Sequence, residues 1–463
     1  MIIKNKVFAL FIFAGFTSFA QQLFYPLDHD ENAFIEMYLN HTESNSHTSI
    51  KPYLYEDVKK EINIDSIDST VTDTNRLYLL PTSKWAKFLR WSENKLMDED
   101  LVYINSDGLK LRANLLLGLQ TGRDSYQEDY FWTNTRGYWL SGQVGKKVFF
   151  ESAFYENQAK LLPYINSNAT SSLVMPGQGR YKIFKENIGA DWAFASGAVG
   201  YRASKYFTAY AGHGKNFFGD GYRSLLLSDN SFNYPYFKFE TTVWNIKYVN
   251  LWAQLNHIGF QDAADRNWAQ KYLSVHYLSW NITKKLNLSL YESISWLKAD
   301  KGFDWQYANP VIFMRPVEWQ NGSADNVLLG SSVKYKISNK FTLYGQVVLD
   351  DLNFAELKKG DGYWGNKYGG QIGIKSYNLL NIYGLSAQVE YNIVRPFTYT
   401  HFDSANGHGH MNEPLAHPLG ANFQEAAAFL RYKYKRHKFT LKLVWSEIGK
   451  DTLNVNHGAD IFY

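Results

Sequence analysis

The chain has 463 residues, and its 48 Lys+Arg against 44 Asp+Glu give a formal net charge of +4. It contains no Cys, which excludes a disulfide framework, a Cys-ligated metal centre and a thiol nucleophile. The balanced charge argues against a dedicated nucleic-acid binder, which concentrates Lys and Arg on one face. The mean hydropathy of -0.37 excludes a helical membrane protein but allows a transmembrane β-barrel, whose strands are only half apolar.

The first residues, 1–20, have the pattern of a secretory signal peptide. Two lysines precede an apolar stretch at residues 7–16 that is too short to span a bilayer. Ser18 and Ala20 supply the small residues that signal peptidase requires. We therefore predict cleavage after Ala20 and export of the mature chain to the periplasm, the medium or an outer membrane.

Residues 21–104 differ from the rest of the chain, and we predict that they form a periplasmic N-terminal segment. Residues 56–74 are polar and have no clear period. Ser83 is a suitable N-cap for a short helix over residues 84–97, whose apolar residues fall on one face.

From about residue 109 the apolar residues recur with a period of two. In residues 341–350, for example, Phe341, Leu343 and Val347 alternate with Thr342 and other polar residues. This alternation predicts antiparallel strands that are apolar on one face and long enough to cross a bilayer. We predict fifteen strands, at residues 109–122, 131–144, 146–156, 188–203, 205–213, 235–244, 246–257, 268–280, 286–297, 325–337, 341–352, 366–378, 382–395, 421–435 and 437–448.

The connections between these strands favour a membrane barrel over a soluble sandwich or propeller. Short links alternate with long ones, as in outer-membrane barrels with tight periplasmic turns and long extracellular loops. The strands are also longer than the ~5–6 residues that are typical of soluble sheets. The predicted fold class is therefore all-β, an antiparallel transmembrane β-barrel over residues 105–463 in the cell outer membrane, preceded by the small periplasmic part.

Three separated blocks resemble one protein family. Residues 212–229 (GHGKNFFGDGYRSLLLSD), residues 309–318 (NPVIFMRPVE) and residues 394–401 (VRPFTYTH), the last followed by residues 417–423, resemble RemB-type gliding-motility outer-membrane proteins of Bacteroidota. That family is similar to Wzi-type capsule-assembly barrels, lectin-like proteins that attach capsular polysaccharide to the cell surface. The resemblance implies a surface barrel of about 16–18 strands for gliding or polysaccharide organisation, and it implies no catalytic residue.

The first of these blocks offers candidate ligand-binding residues. It is no phosphate loop, because Ala209 stands where the first Gly of that motif belongs and Asn216 replaces its Ser or Thr. As a polar loop it is suited to hydrogen-bond a glycan or its acidic sugars through His213, Lys215, Asn216 and Arg223. The alternative is a loop folded into the barrel and held by its own hydrogen bonds.

The loop after Arg395 is rich in His and adds candidates of its own. We include Arg395 and His401 among the candidate ligand-binding residues. His408 and His410 have a spacing that can chelate a metal, although a loop satisfied by backbone hydrogen bonds is the simpler interpretation. We therefore predict no metal and no cofactor.

The carboxylate pairs give little support for an enzyme. Adjacent residues on a strand point to opposite faces, so Asp350 and Asp351 cannot act together across a sugar. Short serine-hydrolase and zinc-protease motifs are also missing from the sequence. The predicted function is non-catalytic surface assembly, gliding motility or capsular polysaccharide attachment, with surface polysaccharide, other cell-surface proteins and outer-membrane lipid as partners. A porin-like channel and, with less support, an outer-membrane hydrolase are the alternatives.

The strand count leads to one further expectation. Fifteen strands that start in the periplasm end outside the cell, whereas bacterial single-chain barrels have an even number of strands. Residues 449–463 do not alternate like a closing strand. We therefore expect the chain to lack its last strand or strands and to leave the edges at 109–122 and 437–448 unpaired, unless residues 311–318 form a sixteenth span.

Overall fold

The computed structural model describes residues 12–15, 24–25, 27, 29–41, 44–61, 100–124, 129–184, 189–259, 268–323, 325–434, 437–452 and 455–462. In chain order the strands are β1 (Ile12–Gly15), β2 (Ile50–Lys51), β3 (Val102–Ser106), β4 (Leu109–Asp124), β5 (Asp129–Val144), β6 (Val148–Lys160), β7 (Lys182–Phe184), β8 (Gly189–Arg202), β9 (Phe207–Gly214), β10 (Phe217–Phe218), β11 (Tyr234–Val243), β12 (Ile246–His257), β13 (Ala269–Asn281), β14 (Leu286–Leu297), β15 (Asn326–Lys336), β16 (Phe341–Asp351), β17 (Lys367–Tyr377), β18 (Leu385–Val394), β19 (Gly409–His410), β20 (Glu413–Pro414), β21 (Phe423–Tyr434) and β22 (His437–Ile448). The helices are α1 (His29–His41), α2 (Tyr55–Glu61), α3 (Pro163–Ser172), α4 (Lys298–Lys301), α5 (Met314–Asn321) and α6 (Phe354–Lys359).

All fifteen predicted strands are present, with ends shifted by a few residues. The period of two identified them because one face of each strand is apolar along its length. The short strand β3 was not predicted. The predicted helix at residues 84–97 lies outside the described residues. Within the described ranges, no helix is long and apolar enough to span a membrane.

The chain divides into two compact units, and the first consists mainly of residues 75–202. In this unit β4, β5, β6 and β8 pair antiparallel in sequence order, and β7 pairs with β8. The β4–β5 ladder runs from Leu109↔Val144 to Asp124↔Asp129. Long strands with uninterrupted registers are what the alternating sequence predicts here.

The second edge of β4 is paired in two places. Residues Leu109–Ala113 pair with β3, and residues Gly118–Thr121 pair with β1. This differs from the expectation of an unpaired edge at residues 109–122. Because β1 falls within the predicted signal peptide, its pairing concerns the chain before any cleavage, which stays a prediction.

The second unit contains residues 24–74, 203–211 and 215–463. Its strands from β11 to β18, followed by β21 and β22, pair antiparallel with their neighbours. Links such as residues 244–245 and 282–285 are tight at one end of these strands, whereas residues 298–325 and 395–422 form long links at the other end. We call these the tight-turn end and the long-loop end.

One face of this second sheet is apolar and open. Leu343, Val347, Ile372, Val389 and Leu443 all lie on it and are exposed. Exposed aliphatic side chains in alternate positions of long strands are typical of a lipid-facing surface. We call this the outer face.

The opposite face, which we call the plug face, is covered by three segments of the same unit. These plug segments are residues 24–61, 215–233 and 396–422. Leu225, Leu226 and Leu227 of the second segment are fully buried against the sheet side chains Leu251 and Tyr277. The N-terminal residues that we predicted as a separate periplasmic part therefore include a stretch that packs on the sheet itself.

The orientation of strand β12 differs from the one that the polarity of its residues predicts. By polarity alone, Asn250 and Trp252 would lie on the inward face with the polar residues of the other strands. The structure instead places Val249 and Leu251 on the plug face, within the apolar core that the second plug segment completes. Asn250 and Trp252 point to the outer face, so the plug and not residue polarity alone decides the orientation of this strand.

Helix α1 is held on the plug face by a buried carboxylate. Glu36 pairs with Lys375 of β17 and, at 3.2 Å, with Lys51, and the Tyr53 hydroxyl donates to it at 3.1 Å. Burial alone would raise the pKa of Glu36, but the surrounding lysines lower it to about 2. The side chain is therefore ionised, and its charge is balanced within the protein.

We predict that Glu36→Gln destabilises the protein by roughly 3–5 kcal/mol, because it leaves buried lysines without their counter-charge. Urea unfolding in detergent, followed by Trp fluorescence, measures the change. The matched control is Asp57→Asn in α2, whose ion pair with Lys60 is exposed and which should change stability by less than about 1 kcal/mol. Equal effects of the two substitutions would contradict the assigned role of Glu36.

Candidate functional site

The second plug segment approaches the sheet through two glycines. A Cβ at Gly219 would lie 2.5 Å from the Gln346 side-chain nitrogen, and one at Gly221 would lie 2.6 Å from Glu390 Oε2. Gly219 also has a φ of 154°, which L side chains rarely adopt. The glycines of the block at residues 212–229 therefore permit close contact between loop backbone and strand side chains, not phosphate binding.

Glu390 of β18 is the main anchor for this loop. Its carboxylate accepts the backbone N–H groups of Tyr222 at 2.7 Å and Arg223 at 3.0 Å. It also accepts the Tyr344 hydroxyl at 2.8 Å and the Asn392 amide at 3.0 Å. Four donors satisfy a fully buried carboxylate, which meets the requirement that buried charges be hydrogen-bonded.

Two glutamines of neighbouring strands extend the same attachment. Gln346 accepts the Leu225 N–H at 2.9 Å and donates to the Phe218 carbonyl at 3.0 Å. Gln371 donates to the Arg223 carbonyl at 3.0 Å. The amide side chains of these strands thus bind the backbone of the loop.

A buried ion pair joins the second and third plug segments to β21. Arg223 lies 3.2 Å from Glu425, and the His417 Nε2–H donates to the same carboxylate at 2.9 Å. The other His417 nitrogen accepts the Leu419 N–H at 3.2 Å. Burial lowers the pKa of His417 to about 4, so the imidazole is neutral near pH 7.

The other candidates from the same block also lie within the folded protein, where Lys215 is bound through its side chain and Asn216 through its backbone. Lys215 donates to the Asp229 carbonyl at 2.9 Å, and the Asn216 N–H donates to the Tyr234 hydroxyl at 3.2 Å. Burial lowers the pKa of Lys215. His213 lies near the end of β9 and is half-buried. The geometry gives Lys215, Asn216 and Arg223 a place in the plug.

The two histidines with metal-binding spacing are engaged as well. His408 Nε2–H donates to the Leu226 carbonyl at 3.0 Å. His410 uses both ring nitrogens, accepting the Asn256 N–H at 3.0 Å and donating to the Asn233 carbonyl at 3.2 Å. His410 therefore has no lone pair left for a metal. Among the described residues no group of three or more His, Asp or Glu is arranged to hold a metal ion.

A small cavity remains between α1 and the sheet. Lysines are prominent in its lining. Lys334 lies 3.6 Å from Asp220, and Lys336 donates to the Ser44 carbonyl at 3.0 Å. These charged groups are paired with protein groups and do not form an unpaired binding site.

Asp350 and Asp351 behave as adjacent strand residues must. Asp350 is directed to the plug face, where it accepts the Tyr399 N–H at 2.7 Å, and Asp351 is exposed on the other side. The two carboxylates therefore cannot flank one substrate.

Exposed aromatics gather at the long-loop end, around the remaining candidates. Trp364 is 60% exposed and packs edge-on against Phe397 at 5.7 Å between ring centres. Arg395 donates to the Tyr363 carbonyl at 3.2 Å. We call these four residues, together with His401 and Phe402 of the same loop, the long-loop patch.

The tip of this loop completes the long-loop patch. Phe402 is 83% exposed, and its ring centre lies 4.1 Å from that of His401. His401 Nδ1 accepts the Asp403 N–H at 3.2 Å. Sequence reasoning found Arg395 and His401 but missed Trp364 and Phe402, because aromatics are common throughout this chain and nothing local marks these two.

The fold has a known counterpart. Across 92% of this chain and 86% of the other, the structure is similar to Wzi of Escherichia coli, with a TM-score of 0.52 and 13% sequence identity. Wzi is described as an outer membrane protein involved in group 1 capsule assembly and as a carbohydrate-binding β-barrel. At this identity the similarity shows the fold alone. The predicted fold class, an all-β antiparallel barrel with a few N-terminal helices, is confirmed.

Other solved barrels are less similar. OccD1 (OprD) has a TM-score of 0.37 at 12% identity over 75% of this chain and 92% of that one. OccK1 (OpdK) of Pseudomonas aeruginosa has a TM-score of 0.35 at 11% identity, over 75% of this chain and 84% of that one. Values below 0.5 support no conclusion about this chain. No family model matches the sequence, and no curated protein matches it.

We predict that the contact between the second and third plug segments weakens as the pH falls from about 6.5 to 4. Burial lowers the pKa of both His408 and His417 from 6.5 to about 4. In that pH window the unfolded chain binds more protons than the folded one, so stability decreases with decreasing pH. Urea midpoints measured at pH 7 and pH 5 give the size of the loss.

The double substitution His408→Gln and His417→Gln removes the titrating groups and keeps a side-chain amide donor at each site. It should reduce the difference between the two midpoints. His457→Gln, at an exposed position, is the control and should leave the difference unchanged. An undiminished pH dependence in the double variant would show that other groups are responsible.

Proposed function

We propose that this protein is a non-catalytic outer-membrane β-barrel that attaches surface polysaccharide at its long-loop end. One observation carries the proposal: the plug face is filled by the chain's own segments, which bind it through buried carboxylates and amides. A filled barrel is suited to display loops at the cell surface.

The outer face supports the location in a membrane. Its exposed aliphatic residues, among them Leu343, Val389 and Leu443, would be unfavourable in water and suit a hydrocarbon layer. The similarity of the fold to Wzi, itself an outer membrane protein, agrees with this location. The predicted signal peptide provides the export route.

The plug argues against a porin-like channel. Such a channel requires polar strand side chains that face water. In the second unit Gln346, Gln371 and Glu390 are instead buried and hydrogen-bonded to the backbone of residues 218–225. In an open pore these side chains would face water and would not bind the backbone of a loop.

The long-loop patch supports binding of a polysaccharide. Exposed aromatic rings offer flat apolar surface that can pack against the C–H faces of sugar rings, while polar groups nearby bind hydroxyl and carboxylate groups. Trp364 and Phe402 supply the rings, and Arg395 and His401 supply polar groups. Wzi, with the same fold, is described as carbohydrate-binding.

The remaining candidate residues have supporting roles in this proposal. Lys215, Asn216 and Arg223 hold the second plug segment in place, and His213 lies near the end of β9, the strand that leads into this segment. The non-catalytic assignment agrees with the separation of Asp350 from Asp351. The gliding-motility role that the family resemblance implies stays a prediction. Gliding can be scored in the cells that are used to measure polysaccharide attachment.

We predict that Trp364→Ala combined with Phe402→Ala reduces polysaccharide attachment while barrel assembly stays normal. Loss of about 1 kcal/mol of ring contact corresponds to roughly a fivefold loss of affinity for each ring. The measurement is the fraction of surface polysaccharide retained on washed cells. Heat-modifiable gel migration and surface labelling confirm that the variant is folded and exported.

Trp244→Ala is the matched control, because Trp244 is 91% exposed but lies in the turn at the tight-turn end. It should retain polysaccharide like the unaltered protein. Equal retention by the control and the double variant, at equal surface levels, would contradict the proposed role of the long-loop patch.

A further inference from the structure

The long link between β14 and β15 folds back over the outer face. We call residues 302–321 the outer strap. Asn250 of β12 donates to the Pro310 carbonyl at 3.0 Å, and Ser274 of β13 donates to the Tyr307 carbonyl at 2.8 Å. Glu292 of β14 accepts the N–H groups of Met314 at 3.0 Å and of the next residue at 2.7 Å. The outer strap thus crosses three strands on the side away from the plug.

The outer strap reaches about half-way down these strands. Asn250 is the fifth residue of the 12-residue strand β12, counted from the tight-turn end, and Glu292 is the seventh of the 12-residue strand β14. A strand needs ~9–11 residues to cross a bilayer. The middle of the outer strap therefore lies at the depth of a membrane interior.

The contacts bind several polar backbone groups of the outer strap. Besides Ser274, the Trp252 indole donates to the Tyr307 carbonyl at 3.0 Å, and the Val311 N–H is bound by Asn309 at 3.0 Å. Pro310 and Pro316 have no N–H to satisfy. Non-helical backbone is tolerated at membrane depth only when its polar groups are bound by protein. Asn250, Ser274 and Glu292, which are polar residues on the outer face, provide partners of this kind.

The opposite side of the outer strap carries a group of exposed apolar side chains, beside exposed polar residues that include Gln306, Asn309 and Arg315, the last of which is paired with Glu318. Val311 is 83% exposed, Phe313 69%, Trp305 80% and Trp319 71%. On the underside Met314 and Tyr307 are fully buried against the sheet. An exposed cluster of this composition marks an interaction surface. It is continuous with the outer face, since Leu290 and Leu329 are exposed on the strands beside it.

We propose that the outer strap is immersed in the hydrocarbon layer of the membrane, with Val311 and Phe313 in contact with lipid acyl chains. Trp305 lies closer to the long-loop end, because its ring contacts Phe303, which packs on Trp296 near the end of β14. An indole at that height suits the membrane–water interface. The inference depends on the proposed membrane location, and its test separates the two.

The absence of Cys makes a direct test possible. Val311→Cys and Phe313→Cys, each carrying a nitroxide spin label, are reconstituted in vesicles of phosphatidylethanolamine and phosphatidylglycerol. Collision rates with oxygen, which concentrates in lipid, and with a water-soluble nickel chelate are measured by electron paramagnetic resonance. Leu443→Cys on the outer face is the lipid control, and Lys358→Cys in α6 is the water control.

We expect both outer-strap labels to match Leu443→Cys, with oxygen collisions several-fold above those of Lys358→Cys and with few nickel collisions. Labels that match Lys358→Cys would place the outer strap in water and overturn the inference. Protection from both reagents would mean that protein covers the strap, which also overturns it. If Leu443→Cys itself collides freely with nickel, the proposed membrane location fails, and the inference fails with it.

Discussion

The carboxylates buried on the plug face are the constraint on which this structure depends. Glu36, Glu390 and Glu425 lie where an unpaired charge would cost several kcal/mol. Each links a plug segment to a strand: Glu36 of α1 pairs with Lys51 and with Lys375 of β17, Glu390 of β18 binds the backbone of residues 222–223, and Glu425 of β21 binds an arginine and a histidine of the second and third segments. Strands and plug segments therefore stabilise each other, and neither arrangement is favourable without the other.

On the outer face, too, a segment of the chain binds polar side chains of the strands. Polar residues are unfavourable against lipid, and the sheet carries a group of them at Asn250, Ser274 and Glu292. The backbone of the outer strap binds these residues, and Val311 and Phe313 are exposed on its other side. On both faces, segments of the same chain bind polar side chains of the strands.

Much of the strand pattern could be predicted from the sequence, because alternation with a period of two is a local property. Which side chains of a strand face inward is not a local property alone, because it also depends on distant segments of the chain. In β16 polarity predicts it correctly, whereas in β12 the apolar series at Val249 and Leu251 faces inward, because Leu225–Leu227 arrive from a distant loop to cover it. The same limit applies to Arg223, whose sequence context is compatible with ligand binding and with the ion pair to Glu425 that the structure shows.

Helix α1 shows a second limit. Nothing in its sequence announces that Glu36 will meet Lys375 more than three hundred positions later, so a separate N-terminal part was the natural expectation. The long-loop patch shows a third limit, because the exposure of Trp364 and Phe402 cannot be read from a sequence in which aromatic residues are common throughout. Elements that depend on period were predictable, and elements that depend on distant contacts were not.

Ion conductance in a planar lipid bilayer tests the central claim most directly, because the account predicts that the plug segments close the barrel to water and ions. Purified protein that is folded by the criterion of heat-modifiable migration should insert and give no stepwise conductance above the bilayer leak. A variant in which a Gly/Ser linker replaces residues 220–229 should conduct, since it lacks the backbone groups that Glu390 and Gln346 bind. Stable channel steps from the unaltered protein would contradict the account.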